Sequence, residues 1–133
     1  MLTITAVTAS VLALYFIRLA FDVIALRRRH KVSLGDGGNE DIRRAIRAHG
    51  NFAEYVPIAL LLMALVELNQ GPKPLLVALG IALIAGRILH RIGIRHPERA
   101  FKNRVRGMQL TFAAIATAAV SNIVIVLVRA LNG

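Results

Sequence analysis

The chain has 133 residues, of which 56% are hydrophobic, and carries a formal net charge of +10 with no cysteine. Its mean hydropathy is +0.62, too apolar for an ordinary soluble domain of this length, and the lack of cysteine excludes disulfides, thiolate metal sites and a cysteine nucleophile. The basic excess shares the chain with long apolar runs and has no basic–aromatic stripe, so it marks the ends of membrane helices and no nucleic-acid partner is expected.

The first apolar run, Leu2 to Leu26, is broken only by small hydroxylated residues, Arg18 and Asp22. It lacks the basic start and small-residue cleavage site of a secretory signal and reads as a retained helix. Arg18 and Asp22, at i and i+4, are expected to neutralise each other. A connection from Arg27 to Arg47 follows. Its Gly35-Asp36-Gly37-Gly38 stretch lacks the lysine and hydroxyl of a phosphate loop and reads as a flexible turn. The second run is Asn51 to Leu68, with Glu54 near its start. Gly71-Pro72-Lys73-Pro74 then makes a tight turn. The third run, Pro74 to Ile94, carries Arg87 and His90 near its end. In the connection that follows, Pro97 is placed to open a helical turn ahead of Lys102, Arg104 and Arg106. The fourth run, Met108 to Leu131, has Gln109 and Asn122 as its strongly polar members. Each run approaches the roughly 20 residues that cross a bilayer core. Helices are the form that satisfies their backbone there. The fold expected is an all-α, four-helix integral membrane bundle in a single domain, residues 1–133.

Charge sets the expected orientation. Seven basic residues flank the first connection (Arg27, Arg28, Arg29, Lys31, Arg43, Arg44, Arg47) and seven the third (Arg87, Arg91, Arg95, Arg99, Lys102, Arg104, Arg106). Only Lys73 and Arg129 lie on the other side. The positive-inside rule puts both basic connections in the cytoplasm and both termini outside.

Ionisable groups at membrane depth are functional candidates. Arg47, Asn51 and Glu54, at i, i+4 and i+7, fall within about 60° of one helix face. Arg87, His90 and Ile94 share a face of the third helix, and Arg106 sits where the fourth enters the membrane. Three helices therefore aim polar groups at one depth from one side, a pocket for a charged, water-soluble ligand beside a lipophilic one. Arg28, Arg29, Arg91, Arg95 and Arg99 read as side chains snorkelling to headgroups. Glu54 needs a cation, for which an arginine of a neighbouring helix or subunit is expected over Arg47. The outer halves of the spans read as nearly bare apart from Asn122, which favours a pocket over a transport path. Histidines 30, 49, 90 and 96 show no close ligand spacing, and no metal site is expected.

The stretch Arg47-Ala48-His49-Gly50-Asn51-Phe52-Ala53-Glu54-Tyr55-Val56-Pro57 resembles the second-helix signature of the MAPEG family, the membrane-associated proteins in eicosanoid and glutathione metabolism. Gly86-Arg87-Ile88-Leu89-His90 resembles the family's third-helix segment, and Arg106-Gly107 the opening of its fourth helix. The resemblance covers most of the chain and looks most like the bacterial branch, in the inner membrane.

The resemblance implies a homotrimer with glutathione, as co-substrate, between adjacent subunits. Arg47, Asn51, Glu54 and Tyr55 would hold the tripeptide, joined by His49, His90 and Arg27, with Glu54 on its amino group and arginines on its carboxylates. Arg106 would be the catalytic residue, lowering the thiol pKa so that the thiolate attacks a small lipophilic electrophile. A third-helix tyrosine of several family enzymes is Ile94 here. The expected function is a glutathione-dependent transferase or peroxidase. The alternatives are a non-catalytic lipid- or substrate-binding relative and a small transporter subunit.

Overall fold

In the computed structural model, which describes residues 1–132 apart from the side chains of Pro97 and Arg99, four α-helices follow one another. They are α1 (Thr3–His30), α2 (Glu40–Leu68), α3 (Lys73–Arg95) and α4 (Pro97–Asn132). All four are long and apolar enough to cross a membrane, which agrees with the four spans read from the sequence. The reading of Arg99 as a snorkelling side chain lies outside the described residues.

The helices outrun the apolar runs at the basic end. α1 continues through Arg27, Arg28, Arg29 and His30, and α2 begins at Glu40. The expected connection of Arg27 to Arg47 thus shrinks to residues 31–39. Cations in the last turn of α1 and Glu40 and Asp41 in the first turn of α2 both match the sign of the helix dipole. Lys31 closes α1 in a left-handed conformation, with φ of 56°. Asn39 caps α2, accepting from the backbone N–H groups of Asp41 and Ile42 at 2.9 and 3.1 Å. Nor is the glycine stretch slack. Gly35, Gly37 and Gly38 all have positive φ, a region that glycine enters without strain. Asp36 accepts from the Gly38 N–H at 2.9 Å and from Arg43 Nε at 2.8 Å, and Arg27 Nε donates to the Gly35 carbonyl at 3.2 Å. The loop is tied to both flanking helices.

The third connection also contracts. α3 runs to Arg95 and α4 starts at Pro97, with a bend at Ala100 (φ −131°, ψ 24°). Arg106 therefore lies well inside α4 rather than at its opening. The turn at the opposite end is as tight as expected: the Gly71 N–H reaches back to the Val66 carbonyl at 2.9 Å, and α3 opens one residue after Pro72.

α2 and α3 occupy the middle of the bundle. α1 and α4 each pack on both of them and, among the described residues, not on each other. The core is a column of Leu12, Phe52, Met63, Leu76, Leu83 and Ala118 with their neighbours. α3 and α4 make the most extensive contact, and glycines set it. A Cβ on Gly107 would come within 2.5 Å of both the Gly86 carbonyl oxygen and the His90 nitrogen. A Cβ on Gly93 would collide with the backbone of Arg104. Close approach of this kind is how membrane helices associate where no hydrophobic drive exists between them. The outward surfaces of α1 and α4 are mostly apolar, from Val7 to Ile24 on one and from Phe112 to Leu131 on the other, with Arg18 and Arg129 as the exposed charges. That suits lipid or a further copy of the chain.

Far from bare, the end opposite the basic connections holds a carboxylate the sequence reading passed over. Glu67 accepts from the backbone N–H groups of Ile4 and Thr5, both at 2.8 Å, and so caps α1. There Arg129 also donates to the side chain and carbonyl of Asn69 at 2.9 and 2.7 Å, closing the end of α2, and Asn122 donates to the Leu62 carbonyl at 3.0 Å. Glu67 and Arg129 satisfy helix ends, which lipid cannot do. The signal was in the sequence: an acidic residue near the end of an apolar run, needing donors.

Candidate functional site

Asn51, Arg87, His90 and Thr111 meet inside the bundle. Arg87 is 2% exposed. One of its terminal nitrogens donates to Asn51 Oδ1 at 2.6 Å and lies 3.3 Å from His90 Nδ1. The other lies 3.4 Å from Thr111 Oγ1 and 3.9 Å from Met108 Sδ. Its guanidinium carbon stands 5.7 Å from the centre of the Phe52 ring, within cation–π range. Nε is left without a partner among the described residues, and no carboxylate reaches the group. Asn51, His90 and Arg87 were legible as polar residues at membrane depth. The part played by Thr111, one turn beyond Gly107, was not.

Arg47 and Glu54 point the other way. They form a two-pronged ion pair, at 2.9 and 3.3 Å, on the outside of α2. Their side chains are 59% and 45% exposed. The expectation that Glu54 takes its cation from another helix or subunit is thus corrected within the chain. Two helical turns separate the α-carbons, but the two long side chains lean together and span the gap. The expected common face also divides: Asn51 turns inward to Arg87 while its neighbours a turn away on either side turn outward.

The remaining expected residues are spread around this pair. Tyr55 is half-buried, its ring edge against Phe112 with centres 5.3 Å apart. His49 is half-buried and stacks on Phe16 at 4.3 Å, and Phe16 stacks in turn on Phe52. Arg27 is committed to the Gly35 carbonyl at the far side of the basic end. Arg106 is exposed on α4, and among the described residues no hydrogen bond or ion pair joins it to Glu54 or Asn51. One chain alone therefore does not close a pocket around Arg47, Asn51, Glu54 and Arg106.

A second charged arrangement lies between α1, α2 and α3 at the basic end. Arg91, read from the sequence as snorkelling, is held by Asp22 through both Nε, at 3.0 Å, and a terminal nitrogen. Each of the two side chains is only 20% exposed. Arg18 does pair with Asp22, at 3.3 Å, but as the outer partner of a three-membered set. Burial decides the ranking, since a carboxylate turned toward the bundle is reached better from α3 than from the exposed Arg18 on its own helix. Arg28, Arg29 and Arg95 are exposed.

The chain matches the MAPEG family model over residues 5–124. It is 38% identical over 120 residues to the inner membrane protein YecN of Escherichia coli K12, an alignment that covers 90% of each chain, and to the same extent to that protein in Escherichia coli O6:H1.

Proposed function

We propose, starting from the fact that this chain belongs to the MAPEG family, that it is a glutathione-dependent transferase or peroxidase. It acts on small lipophilic electrophiles as a homotrimer, with its basic connections in the cytoplasm and both termini outside. It is a multi-pass protein of the bacterial inner membrane. The observation that carries the reading is the outward Arg47–Glu54 pair, exposed at the membrane boundary with a lone Arg106 on the next helix but one. Charged groups facing lipid are costly unless something covers them. An adjacent copy of the chain would cover them and leave a slot between subunits. Glutathione has two carboxylates and one ammonium. It matches that slot by exchange: its ammonium takes over Glu54 and its carboxylates take over Arg47 and an arginine such as Arg27 of the neighbouring copy, each through charge-assisted hydrogen bonds. Tyr55, His49 and His90 would line the tripeptide, and Asn51, fixed by Arg87, would present its amide to it. Arg106 then meets the thiol. A fixed cation stabilises the thiolate over the thiol, and the thiolate attacks an electrophile arriving from the bilayer.

One observation favours a second reading, a non-catalytic lipid- or substrate-binding relative. The Arg47–Glu54 pair is closed on itself, so each group already has a partner. The test is a thiolate difference spectrum: purified protein in detergent, glutathione added near neutral pH, and the ultraviolet absorbance of the thiolate followed with Arg106→Ala as control. A signal in the native chain that the variant loses supports the enzyme. Binding without thiolate leaves the non-catalytic relative, and no binding removes glutathione from the reading.

A further inference from the structure

The cavity between α1, α2 and α3 at the basic end lies on the opposite side of α2 from the Arg47–Glu54 pair and shares no residue with the proposed glutathione set. It has a volume of about 570 Å³, within the range of ligand-sized sites. Four arginines line it, Arg29 from α1, Arg44 from α2, and Arg91 and Arg95 from α3, against two carboxylates, Asp22 and Asp41. Asp22 is already taken by Arg91. Arg44 makes two long ion pairs, at 4.0 Å each, with Glu40 and Asp41. Arg29 and Arg95 have no ion pair or hydrogen bond among the described residues. Three helices thus present guanidinium groups to one space, two of them unpaired among the described residues and the third, Arg44, held only by long ion pairs. The depth of that space is apolar: Leu19, Ala48 and Ile94 form buried walls.

From this arrangement we infer that the cavity is a binding site for a phosphate-bearing anion. Arginine matches phosphate geometrically, two N–H groups to two oxygens, and several converging guanidinium groups suit a doubly charged tetrahedral group better than a single carboxylate. The apolar walls would take the glycerol and first acyl carbons of a phospholipid whose headgroup sits among the arginines. Basic pockets between membrane helices bind anionic headgroups in this way. A soluble phosphate compound would use the same arginines without the walls. Simple snorkelling would require neither the cavity nor the convergence of three helices.

The experiment titrates ligands onto the full chain in a zwitterionic detergent and follows the helix-melting midpoint by circular dichroism. The ligands are dihexanoyl phosphatidic acid, dihexanoyl phosphatidylcholine and inorganic phosphate. Two double variants remove equal charge from the same end of the molecule: R29Q/R95Q inside the cavity and R28Q/K31Q outside it. Selective binding raises the midpoint with concentration. Phosphatidic acid is expected to raise it in the native chain and in R28Q/K31Q, and to bind R29Q/R95Q at least about tenfold more weakly. Phosphatidylcholine is expected to do little. If inorganic phosphate reproduces the whole effect, the site stands and its ligand is a soluble phosphate. If both double variants lose the effect equally, the attraction is diffuse charge and the site is overturned. Saturating glutathione is expected to leave the titration unchanged. Competition by glutathione would overturn the separation of the two sites, whether or not the thiolate test succeeds.

Discussion

Neighbouring turns of α2 treat their polar groups in opposite ways. Asn51 turns into the bundle and joins Arg87, His90 and Thr111, a set that one chain nearly completes by itself. Arg47 and Glu54 turn out and, among the described residues, pair only with each other, half exposed. The inner set is bound up with stability, because each buried polar atom there has few alternatives to the partner it has. The outer set contributes little to stability and is available to a ligand or a second subunit. Removing groups from the two sets should therefore have separable consequences: the first should unfold the protein, the second should silence it.

The largest expected effect is at Arg87. Arg87→Ala leaves Asn51 Oδ1 and the His90 ring without their donor and opens a cavity against Phe52. The expected loss is about 4 kcal/mol in unfolding measured in mixed micelles. A loss below about 1 kcal/mol would mean that water replaces the guanidinium, and the inner set would no longer count as structural. Next comes the glycine contact behind it. Gly107→Ala forces a methyl group against the Gly86 carbonyl and the His90 nitrogen, neither of which can yield without parting α3 from α4. About 3 kcal/mol is expected in the same assay. Gly50→Ala is the control, since nothing lies within 4 Å of its added Cβ, and it should be neutral or slightly stabilising.

Below these sits Glu67, whose carboxylate holds the first turn of α1. Glu67→Ala should cost about 1–2 kcal/mol, as loss of a helix cap does, read as lowered stability with glutathione binding intact. At the outer set, Arg47→Ala and Glu54→Ala should each change stability by less than about 1 kcal/mol, as exposed ion pairs do. Both should sharply weaken glutathione binding in equilibrium dialysis. A large loss of stability from either variant would erase the contrast between the two sets.

Much of this was legible in the sequence, and the reason is the solvent. Lipid punishes polar residues so strongly that four apolar runs, and the polar residues within them, stand out without any packing information. Helix ends were less legible. Arg27 to His30 and Glu40 to Arg47 are polar but helical, because caps and dipole-matched charges extend the helices past the apolar runs. Direction of pointing was the least legible. A sector of about 60° admits both Asn51 facing in and Glu54 facing out, and only the position of α3 decides between them. Reach was misjudged too: Arg91 crosses to Asp22 and Arg47 spans two turns to Glu54, both permitted by long side chains and invisible to spacing rules. The exposed surface of α2 and α4, where Arg47, Glu54 and Arg106 lie, is a different matter, since what covers an outward face is not written in the spacing of one chain's residues.

The smallest effect tests whether every exposed pair behaves like Arg47–Glu54. Asp36 keeps only 33% of its side-chain surface exposed, and its carboxyl is held below the usual aspartate value, first by the hydrogen bond from Arg43 and then by the Gly38 N–H. A carboxyl with a lowered pKa in the folded state contributes stability above its ordinary value, near pH 4, and loses it as pH falls through the still lower folded value. The loop of residues 31–39 should thus stay closed from neutral pH down to about pH 5 and loosen only below about pH 4. Amide exchange at Gly38 and Asn39, whose N–H groups bond to the Asp36 side chain and carbonyl, reports this directly. Asp36→Asn should speed that exchange at every pH while leaving the melting midpoint of the bundle almost unmoved. A loop that opened above pH 5 would reverse the sign and assign the closure to another group. A bundle that melted with it would show that an exposed pair can control the fold, and the division between inner and outer sets would have to rest on something other than burial.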